Sequence, residues 1–244
     1  IKMALGTFNG ITGTGDPYWQ PVLTQLNITP RIACSMTRNL VGSYSGDFYA
    51  TTGSGPAVVT TVYDQSGNGT NLTNAGTSDA TLSGSGDSAR AVFASSGYTA
   101  LSTSTGGSEF AAGTYDIFIV FDPISTNKQM LFSRGSTGND RITMESGGSG
   151  DVFSGVTRGD VRVNDSVLSP QTRGSIYTAA VGQAGVNVIS VEDLDMNTMD
   201  GTVMVGVLNT TWRAEGDFAE FIVTPPLSDA QHTAVVADIR NFYS

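Results

Sequence analysis

The sequence predicts an all-β sandwich closed by a single C-terminal helix. Three observations carry that expectation. From Tyr115 onward, short runs of β-branched and aromatic residues recur at even spacing, parted by glycine or Asn/Asp clusters, the pattern of a sandwich or barrel. The chain holds 30 glycines against 14% charged residues, so turns are many and long amphipathic helices few. Only Asp229 to Phe242 carries a full set of helix signals.

Taken in order, Ile1 to Pro30 reads as an irregular segment packed on the domain that 31–244 forms, punctuated by Gly10, Gly13 and Gly15 and turned at Asp16-Pro17. Within it, Tyr18, Trp19, Val22, Leu23 and Leu26 suit one helical turn or a lid, and burial is the expectation for Trp19. Met36, Leu40 and Val41 stand at helical spacing, which predicts a short helix within Ser35–Tyr44 over a sheet end. Val58 to Tyr63 is β-branched or aromatic throughout and predicts a strand. Asp64 to Gly69 then has two glycines and no apolar residue, a rigid polar turn that visits positive φ twice. Thr77 to Gly106 reads as loops around one short strand at Arg90–Ala94.

Nine strands follow: Asp116–Phe121, Gln129–Ser133, Arg141–Met144, Val152–Val156, Asp160–Val163, Ser175–Val181, Val186–Val191, Gly201–Val207 and Asp217–Val223. Pro225 and Pro226 stop the last of them. Ser228 is the N-cap of the terminal helix and Gln231 completes a capping box. Val235, Ile239 and Phe242 share one face, which should dock on the sandwich.

With 244 residues and no long linker, one large domain is expected, able to fold without disulfide or metal. The net charge is −10 and the pI about 4.3. That argues against nucleic acid, which needs a basic footprint, and against anionic membranes. A neutral ligand is expected. No run of 18 apolar residues occurs, and neither a membrane span nor a signal peptide is read. Cys34 is the only cysteine, so no intrachain disulfide can form.

The segment Tyr63-Asp64-Gln65-Ser66-Gly67-Asn68-Gly69, with Leu72-Thr73 after it, resembles the YDQSGNG-x-x-LT signature of the catalytic domain of fungal-type α-L-arabinofuranosidase B. Upstream, Ala33-Cys34-Ser35-Met36-Thr37-Arg38-Asn39-Leu40 and Tyr44-Ser45-Gly46 resemble a second segment of that family, in the same order. The same pair recurs in phage virion proteins described as concanavalin-like. The resemblance, specific from Ile32 to Asn74, implies a concanavalin-like jelly-roll β-sandwich. The ending Asp217-Phe-Ala-Glu-Phe-Ile-Val…Leu-Ser-Asp-Ala-Gln is similar to that of laminin-G-like domains. The fungal enzymes are secreted and disulfide-bonded, whereas a lone Cys34 suits a protein folded in a reducing cytoplasm and released later to a virion or extracellular surface.

A glycosidase needs two carboxyl groups across the scissile bond, about 5 Å apart if retaining and roughly 6.5–9.5 Å if inverting. The resemblance sets Val163-Asn164-Asp165-Ser166 where the family carries its nucleophile, and Gly206-Val207-Leu208-Asn209-Thr210 where it carries its acid. Asp165 is a shortened, displaced stand-in for Glu. Asn209 has no proton to donate. The implied cleft would then hold a ligand without cleaving it, through Arg158, Asp165, Asn209, Trp212 and Arg213, with Trp212 either a stacking platform or a plug closing the sandwich. Asp64, Gly67, Asn68 and Gly69 are expected to be structural, and Asp64→Ala to cost about 1–2 kcal/mol as the loss of a local cap.

Other polar residues carry plainer readings. Glu145 reads as a solvated strand end and Glu220 as a buried structural partner or a shifted acid. Glu192 to Asp200 offers calcium-type oxygens at Asp193, Asp195, Asn197 and Asp200 but lacks the glycine and terminal glutamate of an EF-hand, so a polar hairpin is expected and no cofactor. His232 is the only histidine, and no nucleophile elbow accompanies it. Gly147 to Gly150 lacks the Lys-Ser/Thr of a phosphate loop. The reading that results is a non-catalytic glycan-binding or surface-display module of a phage virion, partnered by a neutral glycan or by neighbouring subunits. An active arabinofuranosidase-type hydrolase and a purely structural decoration protein are the alternatives.

Overall fold

The computed structural model describes residues 3–4, 21–42, 50–52, 58–75, 78–84, 88–94, 99–103, 113–124, 128–134, 141–152, 156–181, 183, 185–198, 202–206, 212 and 214–244. Its elements begin with β1 (Met3–Ala4), the single turn α1 (Val22–Gln25), β2 (Ile32–Ser35), β3 (Ala50–Thr52) and β4 (Val59–Val62). Then come β5 (Leu72–Asn74), β6 (Thr81–Ser83), β7 (Arg90–Phe93), β8 (Leu101–Thr103) and the long β9 (Thr114–Pro123). The second half holds β10 (Gln129–Arg134), β11 (Arg141–Met144), β12 (Val161–Val163), β13 (Ser166–Val167) and α2 (Arg173–Ala180). It ends in β14 (Asn187–Asp195), β15 (Val203–Val205), β16 (Gly216–Thr224) and α3 (Asp229–Tyr243).

Two antiparallel sheets result. One has the order β1-β3-β4-β5-β8-β15-β10-β11. The other runs β13-β12-β14-β9-β16-β7-β6, and β2 pairs with the C-terminal half of β16, beyond the part that pairs with β7. The core between them is aromatic: Phe132 of the first sheet stacks on Phe221 of the second, ring centroids 5.9 Å apart. The sandwich with a C-terminal helix is the fold class that strand spacing predicts.

A second apolar layer lies behind the second sheet. Phe118, Val120, Val188, Ala219 and Ile222 face outward there and are covered by Val22 and Leu23 of α1 and by Val235, Val236 and Ile239 of α3. With both faces buried, β9 and β16 lose the alternation of a half-exposed strand. Tyr115 to Phe121 is buried at every position. Ser228 and Gln231 form the capping box of α3.

Local expectations fail in four places, the first being Thr77–Gly106, where one short strand is expected and β6 and β8 form beside β7. Ser175–Val181 is expected to be a strand, yet the segment is helical. The Thr172 side chain accepts from Ser175 N and starts α2, whose Ile176 and Ala180 lie one turn apart and are both fully buried. Burial at i and i+4 outweighs the strand preference of Ile-Tyr-Thr. Within Ser35–Tyr44 the described residues form no helix: Ser35 Oγ accepts from Thr37 N (3.2 Å) and Arg38 N (3.1 Å) and turns the chain instead. Of Val152–Val156, the described residues are not in a strand.

Asp116 of β9 is almost wholly buried. Its carboxylate accepts from Asp193 N (2.8 Å) and Leu227 N (2.9 Å), so it holds the approach to α3 against the bulge in β14. Burial pushes this carboxyl up to about 6, the two N–H donors oppose the shift, and the charges of Asp193 and Glu192 add to it. A folded-state pKa above the unfolded value binds the proton more tightly in the native protein. The stabilisation is therefore full below about pH 4 and is lost as pH rises through about 6. Melting curves of the wild type and Asp116→Asn should diverge across that window, the wild type losing stability relative to the variant as pH rises. Parallel profiles would exclude titration of Asp116 there.

Candidate functional site

The signature loop buries Asp64 and Gln65 and leaves Gly67 to Gly69 exposed. Asp64 follows β4, and its Oδ1 accepts from Ala33 N (2.9 Å) and Ser66 N (3.0 Å). Its Oδ2 accepts from Ser66 Oγ (2.7 Å) and Thr70 N (3.0 Å). Gln65 Oε1 accepts from Leu40 N at 2.7 Å, and Asn68 Nδ2 donates to Arg31 O at 2.9 Å. Gly67 (φ 87°) and Gly69 (φ 73°) supply the left-handed turns that let the chain circle the carboxylate. The motif thereby pins the first sheet to β2 of the second.

The upstream segment serves a neighbouring lock. Glu220, fully buried in β16, receives Arg38 Nε at 2.6 Å and Nη2 at 3.1 Å, Ser35 Oγ at 3.0 Å and Tyr243 Oη at 2.7 Å. Arg38 Nη1 also meets Asp238 Oδ2 at 2.5 Å, and its guanidinium lies 5.0 Å from the Phe242 ring centroid. Burial disfavours the charge on Arg38, but Glu220 and then Asp238 hold the guanidinium above its ordinary range. Burial, with the charge of Glu220, pushes the Tyr243 phenol up. Glu220 is a carboxylate enclosed by donors.

Asp165 sits in the β12–β13 turn, where Asn164 (φ 51°) and Asp165 (φ 70°) are both left-handed. It turns toward α3: Oδ1 lies 3.2 Å from His232 Nδ1, and Oδ2 accepts from Thr233 Oγ1 at 2.9 Å. His232 Nε2 in turn lies 2.9 Å from Ser190 Oγ. Ser190, His232 and Asp165 thus stand in the order of a catalytic relay, but Ser190 is fully buried in the layer behind the second sheet and no substrate carbonyl can reach it. Burial lowers the imidazole's affinity for a proton, a shift that Glu192 and Asp165 oppose. Neutral His232 donating to Asp165 and accepting from Ser190 satisfies every group.

Trp212 lies elsewhere. Ile142 and Met144 of β11 point into the inter-sheet core, so Arg141 and Thr143 face out of the first sheet. Along that outer face the register aligns Thr61, Thr73, Ser102, Met204, Ser133 and Arg141 in one row across β4, β5, β8, β15, β10 and β11. At its end stands the half-buried Trp212. Arg141 Cζ is 4.9 Å from the indole centroid, Arg173 Cζ 5.1 Å and Lys128 Nζ 5.2 Å. Lys128 also pairs with Glu145 at 2.7 Å.

Arg173, the first residue of α2, is held by its backbone: its N–H donates to Gly150 O at 3.0 Å, and Gly174 N donates to Gly148 O at 2.8 Å. The glycines make room for it. A Cβ on Gly150 would stand 3.3 Å from Arg173 Cζ, and one on Gly148 3.1 Å from Arg173 Cβ. Arg158 is one strand-bridge away, its Nη2 donating to Asp151 Oδ1 at 2.7 Å and its Nη1 to Gln171, while Asp151 bridges to Thr172.

Arg158 thus pairs with Asp151 and Gln171 just before α2, while Trp212 meets Arg173, the first residue of that helix. None of the hydrogen bonds or ion pairs of Asp165 reaches either of them. Asn209 and Arg213 lie outside the described residues, as does Asp200. Asp195 Oδ1 accepts from Asn197 N at 2.9 Å and Asn197 Nδ2 at 2.6 Å. Among the described residues, no three His, Cys, Asp or Glu side chains converge as metal ligands.

No family model matches the chain, and no curated protein matches it. Solved structures do. The crystal structure of an arabinofuranosidase complexed with arabinofuranosyl-α-1,2-xylobiose aligns with a TM-score of 0.56 at 17% identity, over 91% of this chain and 64% of that one. A mutant of a glycoside hydrolase family 54 α-L-arabinofuranosidase soaked with 4-nitrophenyl α-L-arabinofuranoside gives 0.55 at 17% identity, over 91% and 65%. A family 54 enzyme soaked with a cyclic sulfate inhibitor gives 0.53 at 16%, over 91% and 65%. At these identities the likeness is one of fold. This chain spans just under two thirds of their length.

Sequence reasoning picks out Trp212 but misses Lys128, Arg141, Arg173 and the true setting of Glu145. Lys128 precedes β10, Arg141 opens β11, Glu145 follows it and Arg173 opens α2, so no local spacing links all four. The glycine run Gly147 to Gly150 is the one available signal: it marks a close approach, here of Arg173.

Proposed function

We propose that this chain is a non-catalytic glycan-binding module on an arabinofuranosidase-like sandwich, displayed on a surface such as that of a phage virion. The observation that carries the reading is the Trp212 wall. It sets one indole and several long polar side chains at the end of a row of hydroxyl side chains, outside both apolar layers. A sugar is held by an aromatic face with a few fixed polar groups. The carboxylates that a hydrolase would need are engaged otherwise: Asp165 with α3, Glu220 with Arg38, and Glu145 with Lys128.

The test is calorimetric titration of the wild type and Trp212→Ala with arabinose-, galactose- and galacturonate-containing oligosaccharides. The variant should lose at least about tenfold in affinity, as truncation of a stacking aromatic does. Equal binding by a folded variant would remove Trp212 from the site. No binding by either protein would favour a decoration role. Turnover of an aryl arabinofuranoside that disappears in Glu145→Gln would replace the binding reading with a hydrolytic one.

A further inference from the structure

We propose that the Trp212 wall recognises an acidic saccharide, taking the carboxylate or sulfate of the sugar between Arg141 and Arg173. The inference rests on the glycan-binding reading and names the class of glycan. It runs against the global charge of −10, because a net charge says nothing about where the cations stand.

Three cationic groups lie within 5.2 Å of one indole centroid. Among the described residues, Lys128 alone of the three has a carboxylate partner, Glu145 at 2.7 Å. Among the described residues, neither Arg141 nor Arg173 forms an ion pair with a carboxylate, and the Nε of each is buried without a hydrogen-bond partner. Two other arginines of the fold are treated differently: buried Arg38 has Glu220 and Asp238, and half-buried Arg162 has Glu192, Asp165 and Asp229. Ser133 faces Arg141 in register and Thr143 follows it on the same face, and both hydroxyls lack hydrogen-bond partners.

The two guanidiniums repel one another. Burial lowers the pKa of Arg141, and the charge of Arg173 lowers it further. Such a pair persists because the scaffold holds it: Arg173 by the Gly148–Gly150 backbone, Arg141 by its strand, and both by the indole between elements. An anion inserted there would relieve the repulsion and gain two planar donors suited to a carboxylate or sulfate.

The experiment compares four ligands on the wild-type protein: a galacturonate oligosaccharide, its neutral galactose counterpart of equal length, a sulfated galactose oligosaccharide, and inorganic sulfate. At least one acidic oligosaccharide should bind roughly ten- to hundredfold more tightly than the neutral one, the ratio expected of charge-assisted hydrogen bonds. That advantage should shrink as salt rises. Arg141→Gln and Arg173→Gln should each abolish the advantage, with Arg141→Lys recovering part of it. Uronate against sulfate distinguishes the two anions. Equal affinity for acidic and neutral oligosaccharides would overturn the inference and leave the glycan reading standing. Sulfate alone matching the acidic oligosaccharides would show an anion site without sugar recognition. No binding of any saccharide would remove both.

Discussion

Arg38→Met is expected to destabilise the protein by about 3–5 kcal/mol, the cost of leaving a buried carboxylate without its cation. Glu220 is fully buried, and among the described residues Ser35 and Tyr243 are its other side-chain donors. The lock joins the turn after β2, the middle of β16 and the last turn of α3, so its loss also loosens the terminal helix. Equilibrium denaturation by urea measures the effect. The double variant Arg38→Met with Glu220→Leu should recover much of the lost stability, since replacing both charges removes the desolvation cost along with the attraction. A single variant within about 0.5 kcal/mol of wild type, the range of an ordinary surface change, would mean that Glu220 is neutralised without Arg38.

Asp64→Ala should cost about 3–4 kcal/mol, well above the about 1–2 kcal/mol of a local cap. The difference lies in what the carboxylate holds. A cap satisfies donors of its own turn, whereas Asp64 also accepts from Ala33 N, across the sandwich edge on β2. Truncation strands the N–H groups of Ala33, Ser66 and Thr70 together, in a site where Asp64 is only 7% exposed. Asp64→Asn should recover part of the loss, because one amide oxygen can still accept. Chemical denaturation decides the matter, and a cost for Asp64→Ala below about 1 kcal/mol would reduce the loop to an ordinary turn.

Much of this molecule is legible from the sequence alone because the interactions are local. The α3 helix has its capping box inside four consecutive residues, Ser228 to Gln231. Apart from β13, the strands from β9 to β16 announce themselves by β-branched and aromatic runs between turn residues, and Gly67 and Gly69 mark positions that only positive φ can satisfy. These signals determine a sandwich and a helix. Tertiary structure decided the rest. The Ser175–Val181 segment has strand composition but becomes α2, because the space beside β11 rewards Ile176 and Ala180 on one helical face. Asp165 goes to His232 rather than to Trp212, since the β12–β13 turn faces the layer behind the second sheet. The cationic wall is built from Lys128 before β10, Arg141 on β11, Arg173 on α2 and the indole of Trp212. No periodicity connects those positions, and a chain so acidic overall conceals a local field of opposite sign. Charges far apart in sequence become one site only when strand register and a glycine-floored helix start bring them within a side chain's reach.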